Sequence, residues 1–227
     1  MLANLGNLEK RSGNVDLALE RHVEALAMRE AELGPDHLDV AASYGDIASL
    51  YRRMERFDEA WGQLDRELSI KRKALKDDHP KLVATYQRRA NLALDQENYA
   101  GARAELDSAL RIVERHGVKN TAAAASFVSL GRMELEQDGY DDAIRAYREG
   151  LRRYEASTKS PGSLGGARMG LAKALWASGD HAEARDALSR ARVELRQGGP
   201  GVAEDLEELE AVATSWSGPM PATRARP

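Results

Sequence analysis

The sequence of 227 residues contains no cysteine, and only 5% of its residues are aromatic. A chain without cysteine forms no disulfide, which excludes the small secreted scaffolds that disulfides stabilise. No apolar run approaches the roughly 18 residues that a membrane span requires. Charged side chains interrupt every apolar stretch among residues 1–30, which argues against a signal peptide. From these absences we expect a cytoplasmic protein without a membrane segment.

The chain also lacks an excess of basic residues. Its formal net charge is −4 at pH 7, and its pI is near 5.8. Nucleic acids and anionic membranes attract proteins with basic surfaces, so this balance predicts neither as a partner. Hydrophobic residues make up 42% of the chain and charged residues 31%, which is typical of a soluble helical protein.

What the sequence does contain is a repeat of fixed period. One column of alanines recurs at intervals of 42, 42, 41 and 41 residues, at Ala18, Ala60, Ala102, Ala143 and Ala184. Twelve residues before each alanine stands another small residue, in order Gly6, Ala48, Ala90, Gly131 and Ala172. Seven residues after it the column is small in four of five cases, at Ala25, Glu67, Ala109, Gly150 and Ala191. Because antiparallel helices approach closely only at small residues, each repeat is predicted to be helix A, a tight turn and helix B.

The repeat predicts five helix pairs along the chain. We place them at 2–12 and 15–33, 38–54 and 57–75, 80–96 and 99–116, 121–137 and 140–157, and 164–178 and 181–197. The repeats run from about 1–35, 36–77, 78–119, 120–160 and 161–198, so the array occupies residues 1–197. An amphipathic, acidic helix at 200–215 is predicted to cap the last pair. Residues 217–227 offer nothing to pack and are predicted to be disordered.

Three dipeptides reinforce the columns, namely Leu-Gly at 5–6, Leu-Gly at 130–131 and Leu-Ala at 171–172. Together they resemble the tetratricopeptide repeat, in the long form found in kinesin light chains and many bacterial proteins. The junctions at 34–37 and 77–80 are similar to the x-Asp-His-Pro junctions of that form. The resemblance covers about residues 2–197. It implies an all-α fold, a right-handed α-solenoid of five antiparallel helix pairs plus a C-terminal capping helix.

A second resemblance concerns the end of the chain. Residues 167–180 and the acidic helix after them look like the closing repeat of large bacterial serine/threonine protein kinases with carboxy-terminal tetratricopeptide arrays. On that resemblance the chain would be a regulatory or docking module of such a kinase. The first repeat looks shortened and lacks a polar capping helix, so we also expect an upstream domain of the same parent protein, or another chain that covers this end.

No motif of catalysis is present. The sequence has no phosphate-binding loop with its lysine, no Gly-x-Ser-x-Gly turn and no His-Glu-x-x-His pair. Two clusters could suggest metal ligands, namely Asp36, His37 and Asp39, and then Asp77, Asp78 and His79. Both clusters lie at helix starts one repeat apart, where an aspartate accepts backbone N–H bonds, so we interpret them as helix caps. We expect a non-enzymatic protein with no metal and no cofactor.

The remaining candidate is a surface. In tetratricopeptide arrays the A helices line the concave face on which partner peptides lie. The resemblance therefore implies the peptide-binding groove residues Asn7, Lys10, Arg11, Ser49, Arg52, Arg53, Gln87, Asn91, Arg132, Met169, Lys173 and Trp176. The basic members concentrate toward the first repeats, while the apolar groove slots fall later, at Leu94, Leu135, Met169 and Trp176. This distribution predicts a partner protein or peptide with an acidic segment next to an apolar one.

Several alternatives stay open. The arginines also fit a solvated helix face, and Trp176 would be ordinary core if its helix is rotated. For function, our first hypothesis is a scaffold that docks a partner peptide in the groove. The alternative is a regulatory, peptide-sensing or dimerising array that controls an attached or associated signalling enzyme such as a kinase. A helical-repeat enzyme would require perturbed carboxylates or histidines clustered across repeats.

Two residues depart from their columns. Arg89 takes a slot that is leucine or isoleucine in the other repeats, and Glu67 takes a slot that is otherwise small. Each would desolvate a charge if it were buried alone. An ion pair between Glu67 and Arg89 is therefore a hypothesis for the structure to test.

Overall fold

The computed structural model describes residues 14–157 and 160–216. These residues form two compact units, which divide between Val118 and Lys119. The helices of the first unit are α1 Val15–Leu33, α2 Leu38–Arg53, α3 Phe57–Ala74, α4 Val83–Asp95 and α5 Tyr99–His116. Those of the second are α6 Thr121–Glu136, α7 Tyr140–Ser157, α8 Pro161–Ser178, α9 His181–Gln197 and α10 Ala203–Ser215. Short 3-10 turns precede α4, at Pro80–Leu82, and α10, at Pro200–Val202.

The predicted all-α fold is confirmed, since these residues contain helices and turns but no strand. None of the helices they form is both long and apolar enough to cross a bilayer. The predicted helix 2–12 and tail 217–227 lie outside the described residues. The helix α8 begins at Pro161, three residues before the predicted 164, because proline suits the first position of a helix. The helices α4 and α10 begin at Val83 and Ala203, three residues after their predicted starts, because a 3-10 turn precedes each of them.

Packing follows chain order within each unit. In the first unit α2 packs on α3 and α4 on α5, while α1 contacts α2 and α3 contacts α4. In the second unit α6 packs on α7, α8 on α9, and α10 on α9, while α7 contacts α8. The A helices within a unit also touch, α2 with α4 and α6 with α8. Each helix therefore rests mainly on its neighbours in sequence, as repeat architectures do.

The small-residue columns mark the contacts between these helices. The five alanines of the first column, Ala18, Ala60, Ala102, Ala143 and Ala184, each have 0% of their surface exposed. At Gly131 on α6, a Cβ atom would stand only 2.8 Å from the ring of Tyr147 on α7. Burial of this ring raises the pKa of the Tyr147 hydroxyl. The columns thus have the cause that the sequence predicts, a close approach of backbones.

Each of the four described turns between helix A and helix B contains one residue in the left-handed conformation. The φ angles in this slot are 56° at Glu55, 55° at Glu97, 59° at Asp138 and 95° at Gly179. The next helix begins two residues later in each case, and two of these starts carry side-chain caps. Asn98 accepts a hydrogen bond from the N–H of Gly101 at 2.9 Å, and Asp180 accepts one from the N–H of Glu183 at 3.3 Å.

The two junction clusters are helix caps, but the capping residue is not the one we predicted. The Nδ1 atoms of His37 and His79 accept the N–H of Asp39 and Lys81, each at 3.1 Å. An imidazole nitrogen without a proton is a hydrogen-bond acceptor, so histidine can replace aspartate at a cap. Among the described residues no group of three His, Cys, Asp or Glu side chains could hold a metal ion.

The junction aspartates instead join helices. Asp36 pairs with Lys73 at 3.2 Å, and Asp78, one repeat later, pairs with Arg115 at 2.9 Å. Both cations lie near the end of a B helix, so the same ion pair recurs with the period of the array. Arg115 holds the pKa of the Asp78 carboxyl below its usual value.

The helix α10 continues the repeat pattern that sequence analysis assigned only to residues 2–197. Val212 and Ala213 follow Leu171 and Ala172 by 41 residues, so α10 occupies the place of a further A helix. Its Leu209 has 0% exposure and packs in the core of the second unit. Its acidic face is paired, because Glu210 accepts a hydrogen bond from Arg192 at 2.8 Å.

Candidate functional site

A pocket of about 250 Å³ lies between the A helices α2 and α4 in the first unit. It is lined by Ala48, Ser49, Arg52, Arg53, Leu64, Gln87, Arg88, Asn91 and Leu92. Five of the predicted groove residues therefore come together, namely Ser49, Arg52, Arg53, Gln87 and Asn91. They meet because residues three and four apart share one face of a helix and the two A helices contact each other. We call this the α2–α4 pocket.

Carboxylates orient the guanidinium groups of Arg52 and Arg88 in this pocket. Arg52 donates a hydrogen bond to Asp95 at 2.7 Å, across from α2 to the end of α4. Arg88 donates to Glu67 at 3.0 Å and lies 3.7 Å from the Asp46 carboxylate. A guanidinium has five N–H donors, so these contacts orient the group and still leave donors for a ligand. The arrangement suits a planar, bidentate acceptor such as a carboxylate.

Arg88 is the charged residue of the pocket that the repeat pattern did not predict. It lies between the groove slot at Gln87 and the departure at Arg89, and no spacing rule assigned it to the surface. The signal that points to it is Glu67, because a carboxylate in a slot reserved for small residues must find a cation. The structure supplies two cations, Arg88 on α4 and Lys71 on α3.

The Glu67 side chain is fully buried within this network. Lys71 Nζ donates to Glu67 Oε1 at 2.6 Å and to the Thr85 hydroxyl at 2.9 Å. The other carboxylate oxygen, Oε2, has no hydrogen-bond partner, and a Cβ atom on Gly45 would stand 2.6 Å from it. The close passage of the carboxylate over α2 therefore requires the glycine.

The hypothesis of a pair between Glu67 and Arg89 is wrong. Arg89 donates instead to Asp65 at 2.5 Å and to Glu105 at 2.8 Å. Successive residues of an α-helix point about 100° apart, so Arg88 and Arg89 face different neighbours. Arg88 is the one that reaches Glu67.

In the second unit the predicted groove residues contact their own chain. Arg132 donates to Glu136 at 2.7 Å within α6, and Lys173 on α8 pairs with Glu208 on α10. Met169 is only 5% exposed and belongs to the core, so it offers no surface to a partner. Asn7, Lys10 and Arg11 lie outside the described residues.

Trp176 is partly covered by Trp216, which follows α10. Its ring stacks on Trp216, with centroids 4.3 Å apart and planes at 3°, and the Arg185 guanidinium lies 5.3 Å from its centroid. Leu94, another predicted apolar groove residue, is only 1% exposed and does not line the groove surface. The four residues that predicted an apolar segment in the ligand thus offer less surface than expected, since two are buried and two are partly buried, namely Leu94, Met169, Leu135 and Trp176.

Antiparallel helix pairs in series, with small residues at each contact, define the class of the α-solenoids. The tetratricopeptide repeat family matches residues 1–73 and 81–156, and a second profile of the same repeat matches residues 128–203. The chain therefore belongs to the tetratricopeptide repeat family. Comparison with curated protein sequences gives no significant match.

Solved structures of low identity share the fold. One, from Podosopora anserina, is described as a kinesin light chain with nearly identical TPR-like repeats; it is 21% identical, with a TM-score of 0.61 over 86% of this chain and 93% of its own. BtubC from P. vanneervenii is 20% identical, with a TM-score of 0.64 over 99% of this chain and 84% of its own. A Rap protein complexed with Competence and Sporulation Factor is 16% identical, with a TM-score of 0.74 over 95% of this chain and 63% of its own.

Proposed function

We propose that this protein is a non-enzymatic interaction scaffold that binds an acidic segment of a partner protein in the α2–α4 pocket. The observation that carries the proposal is the convergence of Arg52, Arg53 and Arg88 in one pocket with neutral polar side chains. Guanidinium groups bind carboxylates through paired, coplanar hydrogen bonds, which lysine cannot reproduce. We also propose a cytoplasmic location, with which the lack of cysteine is compatible.

Membership of the tetratricopeptide repeat family supports an interaction role but does not identify the partner. We restrict the proposed ligand to its acidic part, because Leu94 and Met169 are buried and Trp176 stacks on Trp216. An acidic segment also fits the fixed orientation of Arg52 and Arg88 by Asp95 and Glu67. Preorganised donors lose little entropy when a ligand binds.

A peptide-sensing regulatory array is the second candidate, and it includes control of a signalling enzyme such as a kinase. It is favoured by the likeness to the Rap protein that was solved with Competence and Sporulation Factor, at a TM-score of 0.74. The two candidates differ in what binding does. A scaffold holds its partner without a change of its own shape, whereas a regulator changes its shape or its self-association when a short peptide binds.

The first experiment is capture of partners from a lysate of the source organism, followed by affinity measurement with the captured protein's acidic segment. The Arg52→Gln, Arg53→Gln double variant is expected to bind at least about tenfold more weakly, a loss of about 1.4 kcal/mol. The matched control is Arg145→Gln with Arg190→Gln, which makes the same change in net charge at exposed positions of the second unit.

Equal affinity of the two double variants would contradict the pocket assignment. Circular dichroism and thermal denaturation establish that each variant is folded before binding is compared. Small-angle scattering with and without the segment then separates the candidates, because a change in particle size or shape upon binding favours the regulatory array.

A further inference from the structure

A second pocket, of about 420 Å³, lies in the first unit at the C-terminal ends of the B helices α3 and α5. It is lined by Arg72, Asp77, Asp78, Tyr86, Ser108, Arg111, Ile112 and Arg115. None of these residues lines the α2–α4 pocket, so its role is separate from the proposed docking of the acidic segment. We call it the α3–α5 pocket.

The buried polar group of this pocket is Tyr86, which is 6% exposed. Its hydroxyl oxygen accepts a hydrogen bond from Arg72 Nη2 at 3.1 Å. A tyrosine hydroxyl can also donate one hydrogen bond, and no described residue accepts it here. The hydroxyl lines the pocket, so its remaining hydrogen-bond donor is available to an acceptor on a ligand.

The preceding repeat shows which acceptor suits this slot. Tyr44 precedes Tyr86 by 42 residues and donates a hydrogen bond to the Glu30 carboxylate at 2.6 Å. Glu30 precedes Arg72 by the same 42 residues, so the two occupy one slot of the repeat. Burial and the nearby Glu30 carboxylate raise the pKa of Tyr44. Beside Tyr86 a cation therefore replaces the carboxylate that satisfies Tyr44.

A second exchange opens the space above Tyr86. The Arg66 guanidinium lies 5.8 Å from the centre of the Tyr44 ring, and the equivalent residue beside Tyr86 is Ser108. Serine ends at its hydroxyl, which donates to the Ala104 carbonyl at 3.0 Å. The small side chain leaves open, beside Tyr86, the space that Arg66 occupies beside Tyr44 in the preceding repeat.

The charges of the α3–α5 pocket favour a single negative charge. Its three arginines face two aspartates, and one of these pairs is already made, between Arg115 and Asp78 at 2.9 Å. Arg111 replaces Ser69 of the preceding repeat and forms no ion pair with a described residue. The lining therefore has a net charge of about +1, which suits a carboxylate better than a phosphate dianion.

We infer that the α3–α5 pocket binds a carboxylate from an aspartate or glutamate side chain of a partner protein. The carboxylate accepts the hydrogen bond of the Tyr86 hydroxyl and lies between Arg72 and Arg111. The partner's carboxylate thus accepts the hydrogen bond of Tyr86 as the Glu30 carboxylate accepts that of Tyr44. The pocket is a second acidic-residue site, formed by the B helices α3 and α5 with Tyr86 of α4, in addition to the α2–α4 pocket.

The test uses N-acetylglutamate N-methylamide as the probe, titrated into 15N-labelled protein at constant ionic strength and followed by the arginine Nε–H resonances. The unmodified chain is expected to show saturable shifts at Arg72 and Arg111. Arg72→Glu rebuilds the internal carboxylate of the preceding repeat and is expected to weaken binding at least tenfold. Lys76→Gln changes the charge near the pocket without lining it and is expected to bind as the unmodified chain does.

Tyr86→Phe removes only the hydroxyl and is expected to fold, because Phe127 occupies the equivalent slot of the next repeat. The affinity of this variant for the probe is expected to be at least threefold lower than that of the unmodified chain. The inference is overturned if the unmodified chain shows no saturable shift, or if Arg72→Glu binds as well as the unmodified chain. Tighter binding of inorganic phosphate than of the probe would also overturn it. The Arg52→Gln, Arg53→Gln variant is expected to bind the probe in the α3–α5 pocket as the unmodified chain does. A failure of this inference can therefore be distinguished from a failure of the proposed α2–α4 pocket.

Discussion

At the scale of single residues, Glu67 departs furthest from the pattern of its own repeat. It stands in a column of alanine and glycine, yet it is fully buried and ionically paired with Lys71 and Arg88. A buried ion pair adds little net stability, because desolvation offsets the attraction, but the removal of one partner leaves an uncompensated charge. Glu67 therefore orients Arg88 in the α2–α4 pocket. The small residues in the same slot of the other repeats have no charge to desolvate.

We predict that Glu67→Gln destabilises the protein by about 3 kcal/mol, because Lys71 then stays buried beside a neutral side chain. Urea denaturation of a double-mutant cycle measures the coupling. Glu67→Gln and Lys71→Met are expected to couple by at least about 1 kcal/mol, because the second change removes the stranded charge.

The control cycle combines Glu67→Gln with Arg89→Leu. These changes are expected to add within about 0.5 kcal/mol, because Arg89 pairs with Asp65 and Glu105 instead. Strong coupling in the control cycle, or none between Glu67 and Lys71, would contradict the network.

At the scale of the elements, the turn between helix A and helix B is the least optimised part of the repeat. Its left-handed residue is glycine at Gly179 but glutamate at Glu55 and Glu97 and aspartate at Asp138. A residue with a Cβ atom is strained in this conformation, and glycine is not. The turn geometry is therefore imposed by the packing of the helices on either side.

We predict that Glu97→Gly stabilises the protein by about 1 kcal/mol, because glycine relieves the strain of the left-handed conformation. The gain is reduced by the greater freedom of glycine in the unfolded chain. Thermal and urea denaturation measure the change. Gly179→Ala is the reverse experiment and is expected to destabilise by a similar amount. If Glu97→Gly is less stable than the unmodified chain, the Glu97 side chain contributes more stability than the strained backbone conformation costs.

At the scale of the whole molecule, stability comes from contacts between neighbours in sequence. The described residues form two compact units, with α1–α5 in the first and α6–α10 in the second. Arrays of this kind lose cooperativity more easily than globular domains, because each repeat depends mainly on the next. The helix α10 closes the core of the second unit through Leu209, and Trp216 stacks on Trp176.

We predict that Leu209→Ala lowers the stability of the second unit by about 3 kcal/mol, because it opens a cavity beneath α10. The three tryptophans report on the units separately, since Trp61 lies in the first and Trp176 and Trp216 in the second. In a Trp61→Phe background, tryptophan emission reports on the second unit, and its unfolding midpoint is expected to shift to a lower urea concentration when Leu209 is replaced. In a background where Trp61 is the only tryptophan, emission reports on the first unit, and the same replacement is expected to shift the midpoint less. Equal shifts would show that the whole array unfolds as one cooperative unit.

The site was predictable only in part. The repeat register places Ser49, Arg52 and Arg53 on one face of α2, and these residues do line the pocket. The same register fails at Met169, which has the groove spacing but is buried against its neighbours. Slot position does not determine exposure, because the bulk of adjacent side chains decides how closely the helices pack.

The amino-acid sequence by itself determined the period, the helix pairs and the buried alanine columns, because these depend on contacts between residues close in the chain. Only the tertiary structure decided which charges meet. Glu67 pairs with Arg88 rather than Arg89, and Tyr86 meets Arg72 where Tyr44 meets Glu30. Such contacts join different helices. A rotation of one helix about its axis by the angle between successive residues changes which side chain meets its partner, and the sequence pattern does not specify this rotation.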